Sequence, residues 1–123
     1  MWEGSNRRKF PRANYPCLVI IRKDHKEPEA LLTHTENVGI GGICVILKKN
    51  LGLFMPVDLE LDLMDTQLHI KCAGKIVWAV KRKETEEKKP SFFDTGIEFV
   101  RITEDDRQRV AVVVDRLEKL QSE

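Results

Sequence analysis

Arg7-Arg8-Lys9-Phe10-Pro11-Arg12 gathers four cations within six residues, in a chain of 123 residues whose formal net charge is only +1. Guanidinium groups are planar, permanently charged forks that match phosphate oxygens in pairs. Pro11 restrains the tether between Arg8 and Arg12. The cluster therefore reads as a local anion site, with phosphate recognition as its chemistry and a solvated basic tail as the plainer reading. A second constellation is Asn37-Val38-Gly39-Ile40-Gly41-Gly42. The Asn37 amide both donates and accepts, suiting a base edge or a phosphate. Gly41 and Gly42 permit close approach of a ligand, or else only a tight turn or bulge. Trp78 offers an aromatic face to a base, or serves as a packing residue of its strand.

These residues need a scaffold, and composition bounds it. With 41% hydrophobic and 33% charged residues, the chain reads as one globular domain. Residues 1–6 form an N-terminal tail and residues 7–120 the domain. The longest strongly apolar stretches, Cys17 to Ile21 and Ile43 to Leu47, fall far below the roughly 20 residues of a membrane-spanning helix. No apolar segment follows the first basic residues, so a cytoplasmic location is expected. Near-neutral charge argues against binding DNA or RNA through a broad basic face. Cys17, Cys44 and Cys72 lie in apolar contexts and read as small buried hydrophobes. They lack the short spacing of a structural zinc site, even with His25, His34 and His69 considered. No hydrolase motif is present, and the expectation is a protein that is not an enzyme and carries no cofactor.

Periodicity supplies the elements. Strands are expected over Tyr15 to Arg22, Ala30 to Glu36, and Ile43 to Leu47, with Asn37 to Gly42 as an interruption. Val57, Leu59, Leu61 and Leu63 alternate with Asp58, Glu60 and Asp62, placing the apolar set on one sheet face and the acids on a solvated one. Leu68, Ile70 and Cys72 continue the alternation. Gly74 accommodates a bulge, after which Ile76, Trp78 and Val80 share a strand face. Lys81 to Pro90 is a charged loop, and Thr95 to Val100 the last strand. Thr103 then caps a helix whose first turn carries Glu104, Asp105 and Asp106. Val110, Val113, Val114, Leu117 and Leu120 form its apolar stripe, for self-packing or for a homodimer seam. Short strands followed by one terminal helix favour a mostly β fold, a small antiparallel β-barrel whose closure protects its edges.

The two motifs in this order identify a family candidate. Arg8-Lys9-Phe10-Pro11-Arg12 matches R-x-x-x-R, and Asn37 to Gly42 matches [D/N]-x-S-x-x-G except that Gly39 replaces serine. The chain thus resembles PilZ domains, cytoplasmic bacterial receptors for cyclic di-GMP. Gly74-Lys75-Ile76-Val77-Trp78, Thr95-Gly96-Ile97-Glu98-Phe99 and the terminal helix extend the resemblance over residues 7 to 120. It implies a PilZ-type barrel with cyclic di-GMP as ligand. Arg8 and Arg12 then clamp phosphates or the guanine Hoogsteen edge, with Arg7 adding positive field. Asn37, Gly39, Gly41, Gly42 and Trp78 complete the expected site, and Asp94 and Glu98 can orient the arginines. An unidentified downstream protein would read the ligand-induced change. Gly39 lacks the usual hydroxyl, and a nucleotide-independent adaptor is the competing function.

Overall fold

The computed structural model describes residues 12–13, 17–23, 30–64, 67–82 and 91–121. Among these residues, seven strands and one helix follow in order: β1 Arg12–Ala13, β2 Leu18–Arg22, β3 Leu31–Gly39, β4 Gly42–Leu47, β5 Pro56–Asp62, β6 Ile70–Lys81, β7 Phe93–Arg101 and α1 Glu104–Gln121. The strands run antiparallel in the order β1-β3-β2-β5-β6-β7-β4, and pairing of β3 with β4 closes β2 to β7 into a six-stranded barrel. The closed β-barrel with a terminal helix is the expected fold class.

Alternation explains the inner surface. Val57, Leu59 and Leu61 of β5 are buried, while Asp58, Glu60 and Asp62 point outward. Val19 and Ile21 of β2, Ile43, Val45 and Leu47 of β4, Ile70 and Ile76 of β6, and Ile97 and Phe99 of β7 fill the same core. Thr103 caps α1 as expected, its Oγ1 accepting the Asp106 N–H at 3.2 Å. Val110 and Val114 enter the barrel core, and the helix packs against β1 and β3. Burying each valine contributes roughly 1.5–3 kcal/mol, enough to offset the lower helix propensity of β-branched residues. The stripe therefore self-packs at these two positions and at the partly buried Val113; the side chains of Leu117 and Leu120 lie outside the described residues.

Three strand expectations need correction. β3 does not stop at Glu36 but runs through Asn37 and Val38 to Gly39, leaving only Ile40 and Gly41 as the bend. Its end is held from both sides, by β1 through Arg12–Gly39 and Ala13–Val38, and by β4 through Asn37–Cys44 and Val38–Ile43. Leu68 does not continue the alternation, being 88% exposed and ahead of the first residue of β6. Ile76 and Trp78 do not share a face. Ile76 stands opposite Ile97 and Trp78 opposite Gly96, so an extra residue at Val77 reverses the facing. The expected irregularity at Gly74 is present, with a register shift between Ala73 and Gly74. Expectations for the Lys83 to Pro90 part of the charged loop, for Tyr15, and for the tail lie outside the described residues.

β1 and β2 occupy the same edge of β3. Between them, Thr35 N–H donates to the Cys17 carbonyl at 2.9 Å, and Cys17 N–H donates to Thr35 Oγ1 at 3.1 Å. The buried Thr35 hydroxyl is thereby satisfied where the ladder changes partner.

On the outer face, His69 Nδ1 lies 2.9 Å from Glu60 Oε2 and Nε2 lies 3.5 Å from Asp62 Oδ2. The hydrogen bond to Glu60 raises the His69 pKa above 6.5, and the same bond lowers that of Glu60 below 4.5. The His69 contribution to stability is complete below pH 6.5 and is lost as pH rises through the raised folded value. The Glu60 contribution is complete above pH 4.5 and is lost as pH falls through the lowered folded value. The pair is thus strongest between those pH values. An imidazole NMR titration should place the His69 midpoint above 6.5 and show it falling in Glu60→Gln. An unchanged midpoint in that variant would mean the bond is not formed in solution.

Candidate functional site

Backbone register assembles most of the expected site on one outer stretch of the barrel. Asn37 pairs with Cys44, Cys44 with Gly96, and Gly96 with Trp78, making a transverse row across β3, β4, β7 and β6. Next to Asn37, the β3 strand ends at Gly39, which stands opposite Arg12 of β1. The first motif is therefore delivered to the second by a short backbone ladder. Arg7 and Arg8 lie outside the described residues, as does the side chain of Arg12.

Each glycine has its own reason. Gly42 starts β4 opposite Glu98, and a methyl group there would collide with the carbonyl oxygen of Ile97. Its smallness serves the β4–β7 contact, which is the structural reading of this position. Gly41 is at the bend, its carbonyl accepting the Phe99 N–H at 2.9 Å. At Gly96 a methyl group would occupy the space of the Trp78 indole. The indole thus lies against Gly96 of β7, and Trp78 is half-buried. Among the described glycines only Gly52 takes a left-handed φ, at 97°. The backbone of Gly39 is therefore one that serine can adopt.

The electrostatics add residues that the sequence reading does not name. Glu36 is displaced from the ladder where the register shifts between Thr35 and Asn37. Its Oε1 accepts from Arg82 Nη2 at 2.8 Å, and its Oε2 accepts from Cys44 Sγ at 3.4 Å. Arg82 Nε donates to Asp94 Oδ1 at 2.9 Å. One guanidinium thus bridges two carboxylates beside the Asn37–Trp78 row, offsetting negative charge where an anion would approach. Asp94 does orient an arginine, but among the described residues that arginine is Arg82. The signal for it was a cation at the start of a charged run; the run's composition concealed that Arg82 still continues from β6.

Cys17 and Cys72 offer no nucleophile. Burial raises the Cys17 pKa, and burial with a nearby Asp106 pushes Cys72 up to about 12. Both remain protonated at neutral pH. Cys17 and Cys44 are buried and Cys72 partly so. Among the described residues, no cluster of histidine, cysteine and carboxylate has the arrangement to hold a metal ion.

Comparison with known proteins agrees with this architecture. The barrel superposes on the Bacillus subtilis inhibitor of motility MotI/DgrA with a TM-score of 0.73 at 20% identity, covering 94% of this chain and 52% of that one. The PilZ domain of Escherichia coli YcgR, solved with c-di-GMP, gives 0.68 at 15% identity and 94% coverage of both chains. The K. pneumonia MrkH–c-di-GMP complex gives 0.71 at 20% identity, covering 94% of this chain and 53% of that one. The chain thus spans about half the length of MotI/DgrA and MrkH. No curated protein sequence matches it. At these identities the superpositions establish the fold, and the PilZ domain model, which matches residues 6–115, establishes the family: the chain belongs to the PilZ domain family.

Proposed function

We propose that this chain is a cytoplasmic receptor for cyclic di-GMP, in which binding orders the arginine arm across the barrel and changes a surface read by a downstream protein. PilZ domains are ligand-binding modules and not catalysts. The observation that carries the reading is the register of Arg12 against Gly39, which brings the end of R-x-x-x-R to the second motif. The proposed contacts are Arg7, Arg8 and Arg12 to phosphate or guanine, Asn37, Gly39, Gly41 and Gly42 along the bend, and Trp78 as a stacking face. The c-di-GMP complexes of YcgR and MrkH support the choice of ligand. No helix among the described residues is long and apolar enough to cross a membrane.

Calorimetric titration should give saturable heat with cyclic di-GMP and none with GTP. An absence of heat from folded, nucleotide-free protein would favour the nucleotide-independent adaptor, the reading that Gly39 supports. Amide exchange with and without ligand tests the surface change; protection confined to contact residues would leave that mechanism without support.

Gly39→Ser restores the hydroxyl usual in the motif at a backbone that accepts it. One added net hydrogen bond is worth about 0.5–1.5 kcal/mol, so affinity should rise about two- to tenfold. Sharply weaker binding by the folded variant would instead show that ligand packing requires glycine.

A further inference from the structure

The β4–β5 connection combines exposed apolar side chains, cations and an unfavourable backbone in a way that the nucleotide site does not use. Leu53 is 58% exposed and Phe54 66% exposed at its tip. Lys48 and Lys49 are exposed at its start, and no carboxylate occurs from Lys48 to Pro56. Lys75, from the neighbouring β6 strand, holds its ammonium 6.0 Å from the Phe54 ring centroid. Glu98 stands beside Lys75 in the ladder as the nearest acid by register.

Phe54 has φ 64°, a left-handed conformation that a bulky residue rarely adopts. The surroundings enforce it. Phe54 N–H donates to the Ile76 carbonyl at 2.7 Å, Ile76 N–H donates to the Met55 carbonyl at 3.0 Å, and Gly52 N–H donates to Asn50 Oδ1 at 2.9 Å. The loop is thus pinned to β6 with two large apolar side chains facing water. A left-handed backbone held in place by hydrogen bonds, at a tip whose large apolar side chains are mostly exposed, points to a contact made elsewhere.

We propose that the Lys48–Pro56 loop docks on an anionic lipid surface, inserting Leu53 and Phe54 at the headgroup boundary while Lys48, Lys49 and Lys75 face the lipid phosphates. Size and charge favour this occupant. Two side chains fall far short of the roughly 800 Å² per partner of a stable protein interface. A bilayer accepts a small apolar tip flanked by cations, and each lysine near an anionic surface strengthens association about fivefold. Reversible attachment, not permanent anchoring, is the expected result.

The test is cosedimentation of the full chain with vesicles of equal parts phosphatidylcholine and phosphatidylglycerol, against phosphatidylcholine alone. Binding should be seen with the anionic vesicles, weaken with salt, and be slight with the neutral ones. Leu53→Gln and Phe54→Asn should each weaken it about tenfold, since each removes most of one apolar insertion. Asparagine tolerates a left-handed φ, so Phe54→Asn removes the ring without disturbing the fold. The proposal is overturned if wild-type protein ignores anionic vesicles, or if both folded variants bind them as well as wild type. It is equally overturned if sedimentation velocity shows Leu53- and Phe54-dependent self-association without vesicle binding.

Discussion

Arg8→Ala and Arg12→Ala are each expected to weaken cyclic di-GMP binding about a hundredfold while leaving the far-ultraviolet spectrum unchanged. A hydrogen bond to a charged group contributes about 1.5–3 kcal/mol, and a guanidinium fork makes two when it grips phosphate or a guanine edge. The fold should be indifferent to the substitutions. Arg12 joins β3 through its backbone, in register with Gly39, and that ladder is open to alanine. Arg12→Lys separates field from geometry, because lysine keeps the charge and loses the planar fork. If it binds like Arg12→Ala, the fork carries the affinity; if like wild type, charge alone suffices. Folded alanine variants with wild-type affinity in calorimetry would remove the clamp from the mechanism.

Gly42→Ala should produce the largest loss of stability from a single methyl group. The added carbon would meet backbone, the Ile97 carbonyl and the Glu98 Cα, and backbone cannot rotate aside. β4 must therefore move away from β7 at the seam that, with β3–β4, closes the barrel. Overpacking costs typically about 1–3 kcal/mol, and the upper end applies where the obstacle is main chain. Urea denaturation should show the midpoint moving down with little change in slope. Gly52→Ala is the contrasting control, because open space surrounds that position and only its left-handed φ opposes a side chain. A Gly42→Ala variant as stable as wild type would show that the seam is looser than its register implies.

Legibility of the fold in the sequence varied with the physics of each element. β5 was readable because Val57, Leu59 and Leu61 keep strict alternation with acids, and α1 because Thr103 and three acids mark its start. β6 was not, since the residue inserted at Val77 reverses the facing of Trp78 relative to Ile76, and hydrophobic pattern carries no mark of a bulge between two apolar residues. The continuation of β3 through Asn37 to Gly39 was hidden for a different reason. Asparagine and glycine disfavour strands locally, and only pairing with β1 on one side and β4 on the other holds them extended. The candidate site divides in the same way. The two motifs proposed to form it are legible by type and spacing, whereas the bridge from Arg82 to Glu36 and Asp94 joins residues 46 and 12 positions apart, a relation that only the closed barrel creates.

Trp78 and Gly96 share one volume, since the indole occupies the space that any side chain at position 96 would claim. The two positions are therefore not free to drift independently over descent. A lineage that shrinks residue 78 releases position 96 from glycine, and one that enlarges residue 96 first must lose the indole or unseat it. Homologous chains with an aromatic at the first position should accordingly keep glycine at the second, while those with a small residue at the first are free there. The combination bulky at both should be the rarest.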